Sequence, residues 1–505
     1  MNTGVLFDDK VLCPWHAAGF SVTSGALERG PGIDSLPNYE VHEKNGKWFV
    51  RVPKTLKHSE IANMAKRDPN NKTKMLIIGG GASGISCAET LRQSNFTGEI
   101  QVISNEKQLP YDRTLLSKCV ATGDASKFSL RDSGFLDTYG IDYQLGYTVR
   151  SIDRHSKQVV LSDGQRLSYD KLLIATGGSA RVPRNEGMTL NGVHVLRSGA
   201  DQGAIKEAAS KANNIVVIGG GFIASECTAN LAKTFNGKKS VSLVFDTNVP
   251  LELVYGYDVG GMLLTEHERN GTDTYPNRDL SKFRYVGDEN GNVKKVVMDN
   301  GYELKADLVV VGAGMIPNTE IARDCGLDMD ANGGVKTNPF LQTSDDSIFA
   351  AGDIASVPSW QTGDYQRIEH WVVAQDQGAY AAFNMLGKME AYGSIPFFWT
   401  NHYGKGMQYV GHATKWDEIH IDGVPRSNKF IAYYIHNNKV LAASGQGRGK
   451  DLFTVFEAMN QNVLPSADQI KSGAENFETI TKKLVINKGG ACRRANCCQK
   501  KNLVQ

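Results

Sequence analysis

Two stretches of this chain share one pattern: an unbroken apolar run, a cluster of glycines, then a segment of helical period. They are KMLIIGGGASG, from Lys74, and NIVVIGGGFIASE, from Asn214. A short apolar run with no polar alternation predicts a strand covered on both faces, as in a parallel sheet alternating with helices. The expected fold is therefore α/β, with two Rossmann-like dinucleotide-binding units. In front of them, residues 1–53 read as short strands and turns, and VHEKNGKWFVRV as a hairpin closed at Asn45-Gly46. Behind them, from Ser394 onward, FFWTNHYG, KFIAYYIHNNKVLAAS and the helical DLFTVFEAMNQNV predict an antiparallel sheet with helices.

These changes of texture divide the chain into six parts. They are a β segment at 1–53, a polar linker at 54–73, a first unit at 74–200 and 330–390, a second unit at 201–329, a C-terminal α+β domain at 394–478, and a basic tail at 479–505. With 56 basic and 54 acidic residues the net charge is +2, which gives no electrostatic reason for a nucleic-acid partner. No apolar run has the length of a bilayer span, and MNTGVLFDDK lacks the regions of a signal peptide. The eight cysteines are scattered rather than framed for disulfides. An intracellular location, cytoplasmic or mitochondrial and not secreted, is expected.

In the first glycine cluster, Gly79-x-Gly81-x-x-Gly84 allows a tight turn, close approach of a pyrophosphate, and tight helix–strand packing, with Ala82 and Ser83 opening the helix. The next strand, EIQVIS, ends at Asn105 and Glu106, and either fits the spacing of a ribose ligand. The second cluster has Gly219, Gly221 and Ala224, with Phe222 and Ile223 at the helix start. Its following strand ends at Phe245 and Asp246. An acid there favours NADH over NADPH, although Phe245 fills the slot where the acid is usual. One glycine motif is a weak signal. Two in one chain imply two dinucleotides, and FAD with NAD(H) or NADP(H) is the common pair.

Several further blocks carry a family resemblance. LPYDRTLLSK (109–118) resembles the LPYxRPPLSK signature of bacterial ferredoxin reductases and apoptosis-inducing factors, with Thr114 and Leu115 replacing two prolines. LLIATGG (172–178), SIFAAGDIA (347–355) and RIEHWVVAQDQG (367–378) resemble blocks of the pyridine nucleotide–disulfide oxidoreductases, and IPFFWTNHYG (395–404) the start of their C-terminal domain. The resemblance spans residues 72–475 in order.

It implies FAD contacts at the glycine turn, Arg113, Val149, Ala175, Thr176, Gly177, Gly352 and Asp353, and nicotinamide-side contacts at Gly312 and Gly314. Lys118 and Glu226 are implied to be the catalytic pair, near flavin N5 and the nicotinamide; alone they would read as a surface lysine and a helical glutamate. Glu369 and His370 are implied near the flavin or nicotinamide, His370 being equally readable as a satisfied, partly buried histidine. Trp399 is either a neighbour of the isoalloxazine or a core aromatic. No Cys-x4-Cys or Cys-x2-Cys pair follows the first glycine turn, and Cys87 reads as a core thiol. The flavin is thus expected to pass electrons straight to an acceptor.

VLCPWHAAGF (11–20) resembles one ligand pair of a Rieske domain, as in the apoptosis-inducing factor 3-like subgroup. Cys13 and His16 would be half of a [2Fe–2S] site, which takes two Cys on one iron and two His on the other. The family's first pair would fall before Met1, so the expectation is a truncated segment that is not sufficient to hold a cluster. Cys492, Cys497 and Cys498 lie among Arg and Lys, as S-acylated membrane contacts or as idle thiols. The expected activity is transfer of hydride from NAD(P)H to FAD and of single electrons onward to an acceptor such as a ferredoxin-like protein, by a monomer or homodimer. The alternative is a redox-sensing signalling flavoprotein whose conformation or partner binding is controlled by NADH.

Overall fold

The computed structural model of the chain describes residues 4–7 and 9–486, so the tail cysteines Cys492, Cys497 and Cys498 lie outside the described residues. The first glycine-terminated run, Lys74–Ile78, is the middle strand of a five-stranded parallel sheet. Its order is Ile348–Ala350, Lys171–Ile174, Lys74–Ile78, Glu99–Ser104, Ile141–Leu145. Met75 through Ile78 are all buried, which is why the run shows no polar alternation. Helix Ala82–Gln93 packs beside helix Trp371–Met385, from far along the chain. The two come so close that a Cβ on Gly378 would lie 2.2 Å from the Ser83 carbonyl oxygen.

The second run, Asn214–Ile218, is likewise the middle of a five-stranded parallel sheet, ordered Val193–Val195, Leu308–Val311, Asn214–Ile218, Ser240–Val244, Thr272–Tyr275. The fold class expected from the sequence is therefore present: two Rossmann-like parallel sheets, each with its own buried core. Near the C-terminus, Phe397–His402, Lys405–Gly411, Lys439–Gln446, Lys429–His436 and Glu418–Val424 pair antiparallel in that order. Helix Gly449–Asn460 covers this sheet with Leu452, Phe453, Val455 and Phe456. The chain does not turn into a tail at 479: helix Phe477–Ile486 continues, with Ile480 and Leu484 buried against Ala458.

The N-terminal strands Val5–Phe7, Lys10–Leu12, Gly19–Ser21 and Leu27–Arg29 form a small antiparallel sheet. Its Leu12 and Ala17 belong to the core of the C-terminal sheet, beside Phe397 and Phe453. The hairpin Glu40–Lys44/Lys47–Arg51 turns at Asn45 and Gly46 with φ of 53° and 71°, as its Asn-Gly pair predicts, and both of its strands are exposed. Among the described residues no helix is long and apolar enough to cross a membrane.

Candidate active site

The carboxyl ends of the first sheet's strands open onto a cavity of about 590 Å³. This is where open α/β sheets bind ligands. Gly79 turns there with φ +112°, and a Cβ on it would lie 2.0 Å from the Ala175 carbonyl oxygen, so a side chain is excluded. At Gly81, by contrast, a Cβ would meet nothing within 4 Å, and no side chain caps the helix that begins at Ala82. The helix's first N–H groups are left for an anionic group in the cavity, which Gly81, Ala82 and Ser83 line. A pyrophosphate fits this cradle.

Asn105 and Glu106 both line the cavity, and the carboxylate of Glu106 is already engaged. Tyr111 donates to it at 2.6 Å, and Arg113 forms an ion pair with it. Burial, with Glu106 alongside, pushes the Tyr111 phenol up to about 12, so it stays a donor. Arg113 also donates to the Arg197 carbonyl at 2.7 Å. Arg197 in turn pairs with Asp353 at 3.0 Å, and Arg367 donates to the Asp353 carbonyl and pairs with Glu369. Ala175, Thr176, Gly177 and Gly352 complete this wall. Val149 is buried in the core of the first unit and does not line the cavity.

The other end of the cavity holds Lys118 and Glu226, which come from different units. Lys118 follows Ser117 in the short helix Leu115–Lys118, and Glu226 lies on helix Phe222–Phe235. The ammonium lies 3.0 Å from the carboxylate, which is 4% exposed. Thr400 donates to the same carboxylate at 2.7 Å, and Ser117 donates as well. A buried carboxylate with an ammonium and two hydroxyl donors is held in one orientation. His370 stacks on Phe398 with ring centroids 4.1 Å apart, and burial lowers it to about 3, so it is neutral. Trp399 lines the cavity and also packs its ring on His16, at 4.1 Å.

Phe222, Ile223 and Glu226 connect the second glycine turn to this cavity. Gly219, with φ +130°, Gly221, Gly312 and Gly314 stand outside its lining, at the ends of the second sheet's strands. The methyl of Ala224 fits against Gly312, where a Cβ would lie 3.2 Å from it. Phe245 is fully buried, while Asp246 is exposed beside the turn, its carboxylate 3.4 Å from where a Cβ of Gly220 would be.

Motif reading left out Ser117, Thr400 and Arg197. Ser117 and Thr400 sat inside quoted motifs without a role; nothing around Arg197 marked it. Cys13 and His16 are two of the four ligands that a [2Fe–2S] cluster takes, and among the described residues no group of three or more His, Cys, Asp or Glu is placed to hold a metal ion. Burial, with the Lys118 charge nearby, lowers His16 to about 4.

Comparison with known proteins agrees with this geometry. The family described as pyridine nucleotide-disulphide oxidoreductase matches residues 73–378, and the reductase C-terminal family matches 397–480. The chain is 34% identical over 464 residues to apoptosis-inducing factor 3 of Homo sapiens, covering 90% of this chain and 75% of that protein. It is 32% identical over 384 residues to putidaredoxin reductase of Pseudomonas putida, covering 75% and 90%. The structure of a covalent putidaredoxin reductase–putidaredoxin complex superposes with a TM-score of 0.76 at 29% identity, covering 82% of this chain and 99% of that one. The chain thus belongs to the pyridine nucleotide–disulphide oxidoreductase family, as an FAD-dependent NAD(P)H oxidoreductase homologous to apoptosis-inducing factor 3 and to the ferredoxin–NAD(+) reductases.

Proposed function

We propose that the protein oxidises NADH, in preference to NADPH, and delivers electrons one at a time to an iron–sulfur protein of the ferredoxin type. The observation that carries this reading is the buried Lys118–Glu226 pair, which joins the first unit to the helix of the second glycine turn. In this reading residues 74–200 with 330–390 bind FAD, residues 201–329 bind the nicotinamide dinucleotide, and 394–478 close the site. The acceptor class is taken from the relatives, whose names include ferredoxin–NAD(+) reductase components and putidaredoxin reductase.

FAD would be held by the Gly79–Gly84 turn, Glu106 with Arg113, the Ala175–Gly177 turn and Asp353, and it supplies an acceptor of hydride that can release electrons singly. The chain's own residues do the rest. Glu226 fixes the Lys118 ammonium, and that preorganised positive charge stabilises negative charge arriving at this end of the cavity. Phe222 and Ile223 line the approach of the nicotinamide. Asp246, exposed at the second turn, repels a 2′-phosphate and leaves a 2′-hydroxyl acceptable. His370, neutral and stacked, adds no competing charge.

The N-terminal segment carries Cys13 and His16, two of the four ligands that a Rieske cluster takes. The test is one anaerobic absorbance spectrum of the purified protein before and after NADH. Loss of the flavin absorbance, restored by an oxidised ferredoxin, is expected; a flavin that stays oxidised in excess NADH would refute the reading.

A further inference from the structure

Strand Phe397–His402 lays one face on helix Phe222–Phe235, and alternate side chains of the strand share that face. Phe398 meets Phe222 with ring centroids 5.3 Å apart, and Thr400 donates to Glu226 at 2.7 Å. Next along the face, the Nε2 of His402 stands 2.9 Å from the Ser225 hydroxyl oxygen. A second histidine closes on the same hydroxyl. His267, near the end of helix Glu252–Arg269, has its Nε2 2.8 Å from it. The other ring nitrogen of His267, Nδ1, lies 2.9 Å from the Tyr403 hydroxyl. Ser225, His267 and His402 are all buried.

The protons of this network can be counted. Burial lowers both histidines to about 3, so each ring is neutral and carries one N–H. Ser225 brings one O–H, and the two rings are the hydrogen-bond partners of its side chain among the described residues. One ring therefore donates to the serine oxygen and the other accepts from it. The free nitrogen of His402 decides which. Its Nδ1 is buried without a partner. If His402 accepted at Nε2, its proton would sit on Nδ1 as an orphaned buried donor, with the Lys118 charge acting on the ring. Buried orphan donors are rare because nothing repays their lost hydration. If His402 donates at Nε2, Nδ1 is a bare lone pair, which suits a nearby cation. Donation then runs one way: His402 to Ser225, Ser225 to His267, and His267 Nδ1 to Tyr403.

We propose that His402, acting through Ser225, is a positioning residue for the Lys118–Glu226 pair. Ser225 and Glu226 are consecutive on one helix, so a rotation that breaks the serine's bonds swings the carboxylate away from the ammonium. The network ties that helix to two further elements at once, strand Phe397–His402 and helix Glu252–Arg269. Thr400 gives the carboxylate a hydrogen bond directly, while His402, two residues on, fixes the turn of helix that carries it. What the pair does rests on the NADH-oxidising reading above; how it is held rests on these hydrogen bonds.

The test has two arms, both on the FAD-loaded full chain. In the first, nitrogen-15 NMR of histidine-labelled protein reads the tautomers, with His267→Gln and His402→Gln assigning the two rings. His402 protonated at Nε2 and His267 at Nδ1 are expected; a His402 protonated at Nδ1, or at both nitrogens, overturns the proposal. In the second, anaerobic stopped-flow mixing separates the Kd of NADH from the limiting rate of flavin bleaching. His402→Leu and Ser225→Ala are each expected to lower the limiting rate by about tenfold, because a small misplacement of an aligning group is felt in the chemical step. The Kd of NADH and the FAD content are expected to stay near the parent's. His402→Gln, whose amide N–H can still donate, is expected to recover most of the rate. A purely structural role would instead lower the melting temperature and FAD content and leave the rate per bound flavin unchanged. That result, or no recovery in His402→Gln, overturns the proposal. If His402→Leu does not fold, Ser225→Ala and the tautomers decide. A parent flavin that NADH does not bleach overturns the function proposed above instead, and the NMR arm still decides which ring donates.

Discussion

Removing either half of the Lys118–Glu226 pair should slow flavin reduction far more than it loosens the flavin. The pair is 15% and 4% exposed, with 3.0 Å between charges. Glu226→Ala leaves the ammonium partly buried with only the Thr114 carbonyl, at 3.1 Å, and strands the Ser117 and Thr400 hydroxyls. Breaking a buried pair from one side costs about 3 kcal/mol of stability, taken at the low end because Lys118 keeps some contact with water. Lys118→Ala removes the preorganised cation itself. Losing one such electrostatic partner slows the chemical step by about a hundredfold, equivalent to roughly 2.7 kcal/mol of barrier. The pyrophosphate cradle at Gly79–Gly84 is a separate part of the cavity, so FAD content should stay near that of the parent. Anaerobic stopped-flow mixing with NADH reads the rate of flavin bleaching, after FAD content has been measured by release on denaturation. Parental rates in both variants would show that the pair is structural.

Three further outcomes are expected. Gly79→Ala should lose its FAD, because its Cβ would stand 2.0 Å from the Ala175 carbonyl oxygen at a φ of +112°; the ratio of flavin to protein absorbance checks this, and full occupancy would sink it. NADH should bleach the flavin faster than NADPH, and Asp246→Asn should narrow the gap; a parental preference for NADPH would contradict the reading of Asp246. The chain should carry no stable [2Fe–2S] cluster, since Cys13 and His16 supply two of four ligands; close to two irons per chain with a Rieske-like paramagnetic signal after dithionite would refute this.

What the sequence determined was local. Apolar runs ending in glycines marked the strand–turn–helix units at Lys74 and Asn214, because a strand buried on both faces cannot alternate and a pyrophosphate turn cannot carry side chains. The Asn45-Gly46 turn was legible for the same kind of reason. Lys118, Glu226 and Trp399 were singled out through the motifs around them. Tertiary structure alone decided which of these meet. Glu226 reaches Lys118 across 108 positions, and Thr400 joins them from a third part of the chain, a convergence that no periodicity encodes. Arg197 bonds Asp353 from 156 positions away, and no local signature marks Arg197. By itself the N-terminal segment reads only as short strands and turns. Only packing of Leu12 and Ala17 into the C-terminal core makes it a neighbour of the redox end, because burial against distant residues is a property of the folded chain.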